Sequence, residues 1–121
     1  MLIALWIVNV VLALAFLATG GLKIIRTPDQ LRTVGLAWVE SFTRGQVVLI
    51  GVAEVVGAVG LIAPLATGIL PFIAAVAAAA LAVLMVGATV VHVRRGENPA
   101  PAAVALVLSL VSAALGVLAL G

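Results

Sequence analysis

Four long apolar runs restrict the folds that are open to this sequence. They cover residues 2–22, 47–63, 71–93 and 102–120. A helix that crosses the ~30 Å hydrocarbon core of a bilayer needs about 20 apolar residues, so each run is long enough, although the second is at the short limit. No run alternates polar and apolar residues, as the strands of a membrane barrel would. The sequence therefore predicts an all-α fold, an integral membrane four-transmembrane-helix bundle that forms a single domain over residues 1–121.

The composition also indicates a membrane location. The 121 residues are 66% hydrophobic and only 8% charged, whereas a soluble domain has about 25% charged residues. We therefore expect a lipid bilayer around the bundle. The net charge is only +2, and no basic run is interleaved with aromatic residues, so we predict no nucleic-acid partner. With no cysteine and one histidine, we predict no metal and no intrinsic cofactor.

The positive charges predict an orientation. All six Lys and Arg residues fall in two connections, residues 23–46 and 94–101, and the connection at residues 64–70 has none. Connections rich in Lys and Arg stay on the cytoplasmic side of a membrane. We therefore expect both charged connections in the cytoplasm and both termini outside.

The first charged connection is predicted to contain a helix of its own. Residues 27–30 have the form of a capping box, with Pro28 at the first helical position. Apolar residues then follow at helical spacing: Leu31, Val34, Trp38, Val39 and Phe42. This pattern predicts an amphipathic helix over residues 28–44 that lies in the plane of the lipid headgroups. Such a helix would act either as an anchored connector or as a lid or docking element.

Glu54 is the only charged residue inside the four apolar runs. A charged side chain in hydrocarbon costs roughly 2.5–3.5 kcal/mol on insertion scales, so it is usually paired, protonated or turned toward a polar cavity. At a rise of 1.5 Å per residue, Glu54 lies roughly 10 Å below the membrane boundary. The other helices place polar side chains in the same half of the membrane: Lys23, Thr89, His92 and Ser109.

We therefore predict a buried polar cluster of these five residues. One interpretation is a site that binds a ligand or exchanges protons, and the other is a polar network that only fixes helix register. For Lys23 alone and for His92 alone, the alternative interpretation is a side chain that lies at the membrane interface and belongs to no cluster.

Small residues predict where the helices approach each other closely. Gly51, Gly57 and Gly60 surround Glu54 in the second run, and small residues on helix faces promote close packing in lipid. They would pack either against the third helix of the same chain or against a second copy in a homodimer. Asn9, in the middle of the first run, is expected to make an interhelical hydrogen bond.

Three motifs resemble those of the DoxX-like family of small four-helix bacterial membrane proteins. They are Ala-Thr-Gly-Gly-Leu-Lys at residues 18–23, the glutamate-centred segment at residues 51–64, and the segment at residues 87–95 that contains His92. The resemblance implies a four-helix bundle in the bacterial cytoplasmic (inner) membrane, with Lys23, Glu54 and His92 as the positions of interest. It also implies a link to quinone-dependent redox complexes or to the assembly of other membrane proteins.

Three functional hypotheses follow. The favoured one is an accessory or assembly subunit of a membrane redox-linked complex, either as a homo-oligomer or within a larger assembly, with no catalysis of its own. The alternative is a membrane protein that binds a lipophilic, quinone-type ligand through Glu54 and His92, with Lys23 as electrostatic partner. A small proton-coupled transporter is the weakest, because four short spans leave little room for alternating access.

Overall fold

The computed structural model describes residues 1–33 and 36–120, and four long helices form most of the described chain. These are α1 (Leu2–Ile25), α3 (Arg44–Thr67), α4 (Ile73–Arg94) and α5 (Ala100–Leu120). Between α1 and α3 lie the short helix α2 (Pro28–Thr33) and a 3-10 helix (Ala37–Ser41). All four long helices are long and apolar enough to cross a membrane. The predicted all-α membrane four-helix bundle is confirmed.

The four long helices form a closed ring. α1 packs against α3 and α5, and α4 packs against α3 and α5. Leu12 and Phe16 of α1 meet Leu61 of α3 and Leu81 of α4 in a buried core. Large apolar side chains also cover the outside of the ring, including Ile3, Leu49, Val83 and Leu118. An apolar core with an apolar exterior is the pattern of a bundle whose solvent is lipid.

Glycines set the closest helix contacts inside this ring. A Cβ atom placed on Gly20 of α1 would lie 2.7 Å from the carbonyl oxygen of Gly51 of α3, so the two backbones touch at this point. Gly57 faces Leu81, and Gly60 faces the Cβ of Ala77, both on α4. Gly57 and Gly60 therefore pack on α4 of the same chain, and Gly51 packs on α1.

Helix α3 is longer than the predicted run at residues 47–63. It begins three residues earlier because the hydroxyl of Thr43 accepts a hydrogen bond from the backbone N–H of Gln46, whose side chain accepts from the Thr43 N–H in return. It continues past Pro64 to Thr67, where Gly68 takes a left-handed conformation with φ of 68°. A proline inside a membrane helix removes only one helical hydrogen bond, and this is tolerated when neighbouring groups compensate.

The prediction of one amphipathic helix over residues 28–44 is wrong. Helix α2 ends at Thr33, Leu36 is not helical (φ −105°, ψ 48°), and Phe42 and Thr43 are extended. Val34 and Gly35, which the prediction included, lie outside the described residues. The physical reason for the break is burial.

Two short helical pieces turn Leu31, Trp38 and Val39 inward, onto Val47 at the start of α3. A single straight helix would have left these side chains along the lipid headgroups. The connection therefore covers one end of the bundle, together with the C-terminal ends of α1 and α4. We call this the charged end, because all the Lys and Arg residues lie there.

Candidate functional site

Glu54 is fully buried and paired with side chains of α1. The ammonium of Lys23 donates a hydrogen bond to its Oε1, and the hydroxyl of Thr19 donates one to Oε2 at 2.5 Å. Lys23 is itself only 6% exposed, so the ion pair lies inside the protein. Burial of two opposite charges is tolerated when their remaining hydrogen-bonding groups also have partners. Thr19 is such a partner, because it donates to the second carboxylate oxygen of Glu54.

The contact of α1 with α3 explains why this pair forms. Gly20 lies between Thr19 and Lys23 in sequence, and Gly51 lies one turn before Glu54 on α3. Because the two glycines let the backbones touch, the short reach of a glutamate is sufficient to meet two donors on the neighbouring helix. The small-residue contact thus positions the ion pair.

Arg44 fixes the same end of α1 from the start of α3. Its guanidinium donates to the carbonyl oxygens of Lys23 at 2.9 Å and Ile24 at 2.8 Å. The last carbonyls of a helix have no helical partner, and a basic side chain satisfies them and favours the negative end of the helix dipole. Arg44 therefore holds the backbone from which the Lys23 side chain extends.

A cavity of about 470 Å³ opens beside the ion pair, within the charged half of the bundle. All four long helices and the connection contribute to its wall. The polar wall residues include Thr19, Lys23, Glu54 and His92, and the remaining wall is largely apolar. The apolar and aromatic residues are Ala15, Phe16, Leu36, Trp38, Phe42, Ile50, Leu84, Met85, Gly87, Ala88, Val91, Pro101, Ala102 and Ala105. An apolar cavity with a few convergent polar groups is typical of a small-molecule site.

Trp38 lies between the two basic side chains of this cavity. The Nζ of Lys23 is 5.2 Å from the centre of the indole ring, within the range of a cation–π contact. The rings of Trp38 and His92 meet edge to face with centres 6.5 Å apart, and Phe42 packs on Trp38 in the same manner at 5.5 Å. The connection thus supplies an aromatic wall that contacts both Lys23 and His92.

His92 is held from outside the cavity by Glu97. The Nδ1 atom of His92 lies 3.2 Å from Oε1 of Glu97. This contact forms because α4 ends at Arg94 and Gly96, with a φ of 70°, turns the chain back so that the Glu97 N–H reaches the His92 carbonyl at 2.9 Å. The last turn of α4 therefore presents a histidine whose ring has a carboxylate neighbour.

Arg95 joins the end of α4 to the connection. It donates to the hydroxyl of Ser41 at 2.6 Å and to the carbonyl of Ala37 at 3.1 Å. Its Nε lies 3.2 Å from Oε2 of Glu97, an ionic contact that lacks the alignment of a hydrogen bond. One arginine thus holds both the 3-10 helix with Trp38 and the carboxylate beside His92.

The predicted five-residue cluster is smaller in the structure. Lys23 and Glu54 are in direct contact, and His92 lies on the wall of the same cavity. The Thr89 hydroxyl instead donates to the carbonyl of Met85 on its own helix, and Ser109 is buried without a hydrogen-bond partner among the described residues. Neither of these two lines the cavity. The prediction rested on depth along each helix, and depth does not determine which way a side chain faces.

Several residues of the site were not anticipated in these roles: Thr19, Trp38, Arg44, Arg95 and Glu97. Thr19 had a detectable signal, because it precedes Lys23 by four residues and so shares its helix face. The roles of Trp38 and Arg95 depend on how the connection folds. The role of Arg44 depends on the packing of α3 against α1, and that of Glu97 on the turn after α4.

The expected interhelical bond of Asn9 is confirmed. Its Nδ2 donates to the carbonyl of Leu61 on α3 at 2.9 Å, and its Oδ1 accepts from the hydroxyl of Ser112 on α5 at 2.5 Å. This second polar contact lies apart from the cavity and links three helices. It has a structural role in the bundle.

Comparison with known proteins supports the resemblance seen in the three motifs. The sequence profile of the DoxX-like family matches residues 7–115, a range that includes Lys23, Glu54 and His92. No curated protein and no solved structure shows significant similarity to the chain. Because the match extends from the first membrane helix into the last, this multi-pass membrane protein belongs to the DoxX-like family.

Proposed function

We propose that this protein binds a lipophilic ligand with a quinone-type headgroup in the cavity of the charged end. The observation that carries the proposal is a cavity of about 470 Å³ with apolar walls and a buried ion pair at its side. An ammonium has three donors, and Glu54 accepts a hydrogen bond from only one of those of Lys23. The remaining N–H groups are suited to a carbonyl oxygen of the headgroup.

The charges of the cavity favour a neutral ligand over a charged one. Lys23 and Glu54 neutralise each other, so a charged headgroup would bring an uncompensated charge into an apolar space. A quinone headgroup is neutral and accepts hydrogen bonds, and its hydrocarbon tail would extend between the helices toward lipid. The headgroup therefore suits the donors of Lys23, and the tail suits the apolar residues of the cavity wall.

We also propose that the protein acts as an accessory or assembly subunit of a membrane redox-linked complex. The sequence has no cysteine and one histidine, so it offers no thiolate or multi-histidine set to hold an electron carrier. Electrons exchanged with a bound quinone would then pass to another chain, in a homo-oligomer or a larger complex. Purification in mild detergent tests this: the protein should run as an assembly, and a lone monomer under all conditions would count against it.

We also propose that the protein lies in a bacterial inner membrane with its cavity on the cytoplasmic side, where the positive-inside rule expects Lys and Arg residues. The charged end carries the Lys and Arg residues, and the opposite connection between α3 and α4 has none. The ligand would then exchange with the inner leaflet.

Ligand binding is tested with the protein in lipid nanodiscs and a decyl-substituted benzoquinone. In a Trp6→Phe background, Trp38 is the remaining tryptophan, and it lines the cavity, so quinone quenches its fluorescence on binding. Ala88→Leu fills part of the cavity, and Ala80→Leu, on an exposed part of the same helix, is the matched control.

We expect saturable quenching in the parent and in Ala80→Leu, with affinity lower by about tenfold or more in Ala88→Leu, equivalent to about 1.4 kcal/mol. Quenching that rises linearly with quinone in the lipid and is equal in all three proteins would refute the proposal.

A further inference from the structure

The side chain of Glu97 lies behind His92, outside the cavity wall. Among the described residues that line the cavity, His92 is the ionisable group that does not belong to the buried ion pair. Its Nδ1 faces Oε1 of Glu97 at 3.2 Å, and the other Glu97 oxygen lies 3.2 Å from Arg95 Nε. Both groups of the dyad are partly buried, with His92 18% and Glu97 25% exposed in their side chains.

This contact favours one tautomer of the neutral His92 ring, the one with its proton on Nδ1. A carboxylate held by an arginine is an acceptor only, so the imidazole must present an N–H at Nδ1 to make a hydrogen bond. In the neutral ring, Nε2 is then an acceptor with a free lone pair. The hydrogen bonds among the described residues leave Nε2 unpaired, while the ring lies on the cavity wall.

The two basic side chains therefore offer opposite hydrogen-bonding groups. Lys23 presents donors, and His92 presents an acceptor at Nε2. Trp38 contacts both of them, so the donor and the acceptor lie beside one indole ring. A ligand that satisfies both must carry a hydrogen-bond acceptor and a hydroxyl donor.

We propose that Glu97 is a positioning residue that fixes the His92 tautomer, and that the cavity thereby selects a lipophilic ligand with a phenolic hydroxyl, the hydroquinone form over the quinone. This inference rests on the proposed ligand site and deepens it. The hydroxyl donates a hydrogen bond to Nε2 of His92, and the second oxygen substituent of the headgroup accepts one from the ammonium of Lys23. A quinone can make only the second of these hydrogen bonds.

The first test measures the tautomer directly. The chain has one histidine, so isotope-labelled histidine gives a single pair of ring-nitrogen NMR signals. In the parent protein we expect the neutral ring to carry its proton on Nδ1. In Glu97→Gln the carboxamide can donate to Nδ1, so a larger share of the ring should carry its proton on Nε2. Glu40→Gln is the matched control, because Glu40 lies 3.8 Å from the same Arg95 and, within the described part of the chain, forms neither a hydrogen bond nor an ion pair with His92.

The second test compares para-dodecylphenol with its methyl ether, in which a methyl group replaces the hydroxyl hydrogen and removes the donor. Affinities are measured in nanodiscs and corrected for partition into empty discs. We expect the parent to prefer the phenol by about three- to tenfold, the effect of one net hydrogen bond. The preference should shrink in Glu97→Gln and persist in Glu40→Gln, while the affinity for the ether stays constant in all three.

The outcomes separate this inference from the proposed function. A parent that binds phenol and ether equally, or whose His92 carries its proton on Nε2 or on both nitrogens, overturns the inference and leaves the ligand site standing. Equal loss of both affinities in Glu97→Gln shows a merely structural role for Glu97 and also overturns it. If neither compound binds saturably to the parent, the proposed ligand site fails, and the selectivity for a hydroxyl fails with it.

Discussion

At the scale of single residues, the Lys23–Glu54 pair carries the strongest constraint on the chain. A carboxylate in hydrocarbon is costly, and its burial is offset here by an ammonium and a hydroxyl from the adjacent helix. Removal of one partner of such a pair leaves an uncompensated charge, whereas replacement of both by uncharged residues leaves none. Loss of one partner therefore lowers the free energy of unfolding strongly, whereas replacement of both often leaves it unchanged or raises it.

Glu54→Gln should destabilise the folded bundle by about 3 kcal/mol, the lower end of the range for breaking a buried pair, because Lys23 lies near a helix end and its ammonium can bend toward the headgroups. The double variant Lys23→Met with Glu54→Gln should be more stable than Glu54→Gln alone. Unfolding transitions in detergent micelles measure both. A double variant less stable than Glu54→Gln would show that the two residues contribute to stability independently of each other.

Asn9 provides a contrasting residue-scale case, since its bonds are neutral. Asn9→Leu removes the donor to Leu61 and the acceptor for Ser112 but leaves no charge behind. Hydrogen bonds of this kind in membrane bundles are worth about 0.6 kcal/mol on average and about 1.7 at most. We therefore expect a smaller loss of stability than for Glu54→Gln in the same unfolding assay. A loss as large as that of Glu54→Gln would contradict this ranking of the two polar sites.

At the scale of elements, the crossing of α1 and α3 and the folded connection create the site. The crossing brings Thr19 and Lys23 to Glu54, and the connection places Trp38 between Lys23 and His92. Arg95 and Arg44 hold these elements in place through carbonyl and hydroxyl groups. The exposed ion pair between Arg32 and Glu40, at 3.5 Å, should add little, because exposed pairs are usually worth less than 1 kcal/mol.

The crossing is tested with two neighbouring glycines of α1. In Gly20→Ala the new methyl group would lie 2.7 Å from the backbone oxygen of Gly51, and overpacking of this kind typically costs 1–3 kcal/mol. In Gly21→Ala the methyl group meets nothing within 4 Å. We expect Gly20→Ala to lower the unfolding temperature and Gly21→Ala to leave it nearly unchanged. Equal effects of the two substitutions would mean that the backbone contact of α1 with α3 does not limit packing.

The role of Arg95 is tested by hydrogen exchange. Arg95→Gln removes the bonds to Ser41 and Ala37, so the 3-10 helix should open more often and its amides should exchange faster. The amides of α1 should not change, because their helical bonds are independent of Arg95. If exchange in the 3-10 helix stays the same, other contacts hold the connection over the cavity.

At the scale of the whole molecule, four membrane helices with all basic residues at one end predict the orientation. The chain has no cysteine, so single cysteines can be introduced without background. Asn98→Cys marks the charged end, and Ile69→Cys marks the opposite connection, and both positions are exposed. In intact spheroplasts a membrane-impermeant maleimide should label Ile69→Cys at once and Asn98→Cys only after permeabilisation. The reverse pattern would place the cavity on the outer side.

The sequence was sufficient to predict the bundle, because the length and apolarity of the runs determine membrane helices almost independently of tertiary contacts. It was also sufficient to select Glu54 and Lys23, because an ionisable group in an apolar run needs a partner. It could not exclude Ser109, since helical depth says nothing about rotation toward a neighbour. It failed for residues 28–44, because burial of Leu31, Trp38 and Val39 on the bundle outweighed their local helical pattern.

The most direct test of the ligand site maps where a quinone binds. A photoreactive azidoquinone with an alkyl tail is incorporated into nanodiscs with the protein, and crosslinked peptides are identified by mass spectrometry. We predict crosslinks on the cavity wall at Trp38, Met85 or His92, which disappear in Ala88→Leu and persist in Ala80→Leu. Crosslinks spread over lipid-facing residues such as Val83 and Val86, unchanged in both variants, would contradict a ligand site in this cavity.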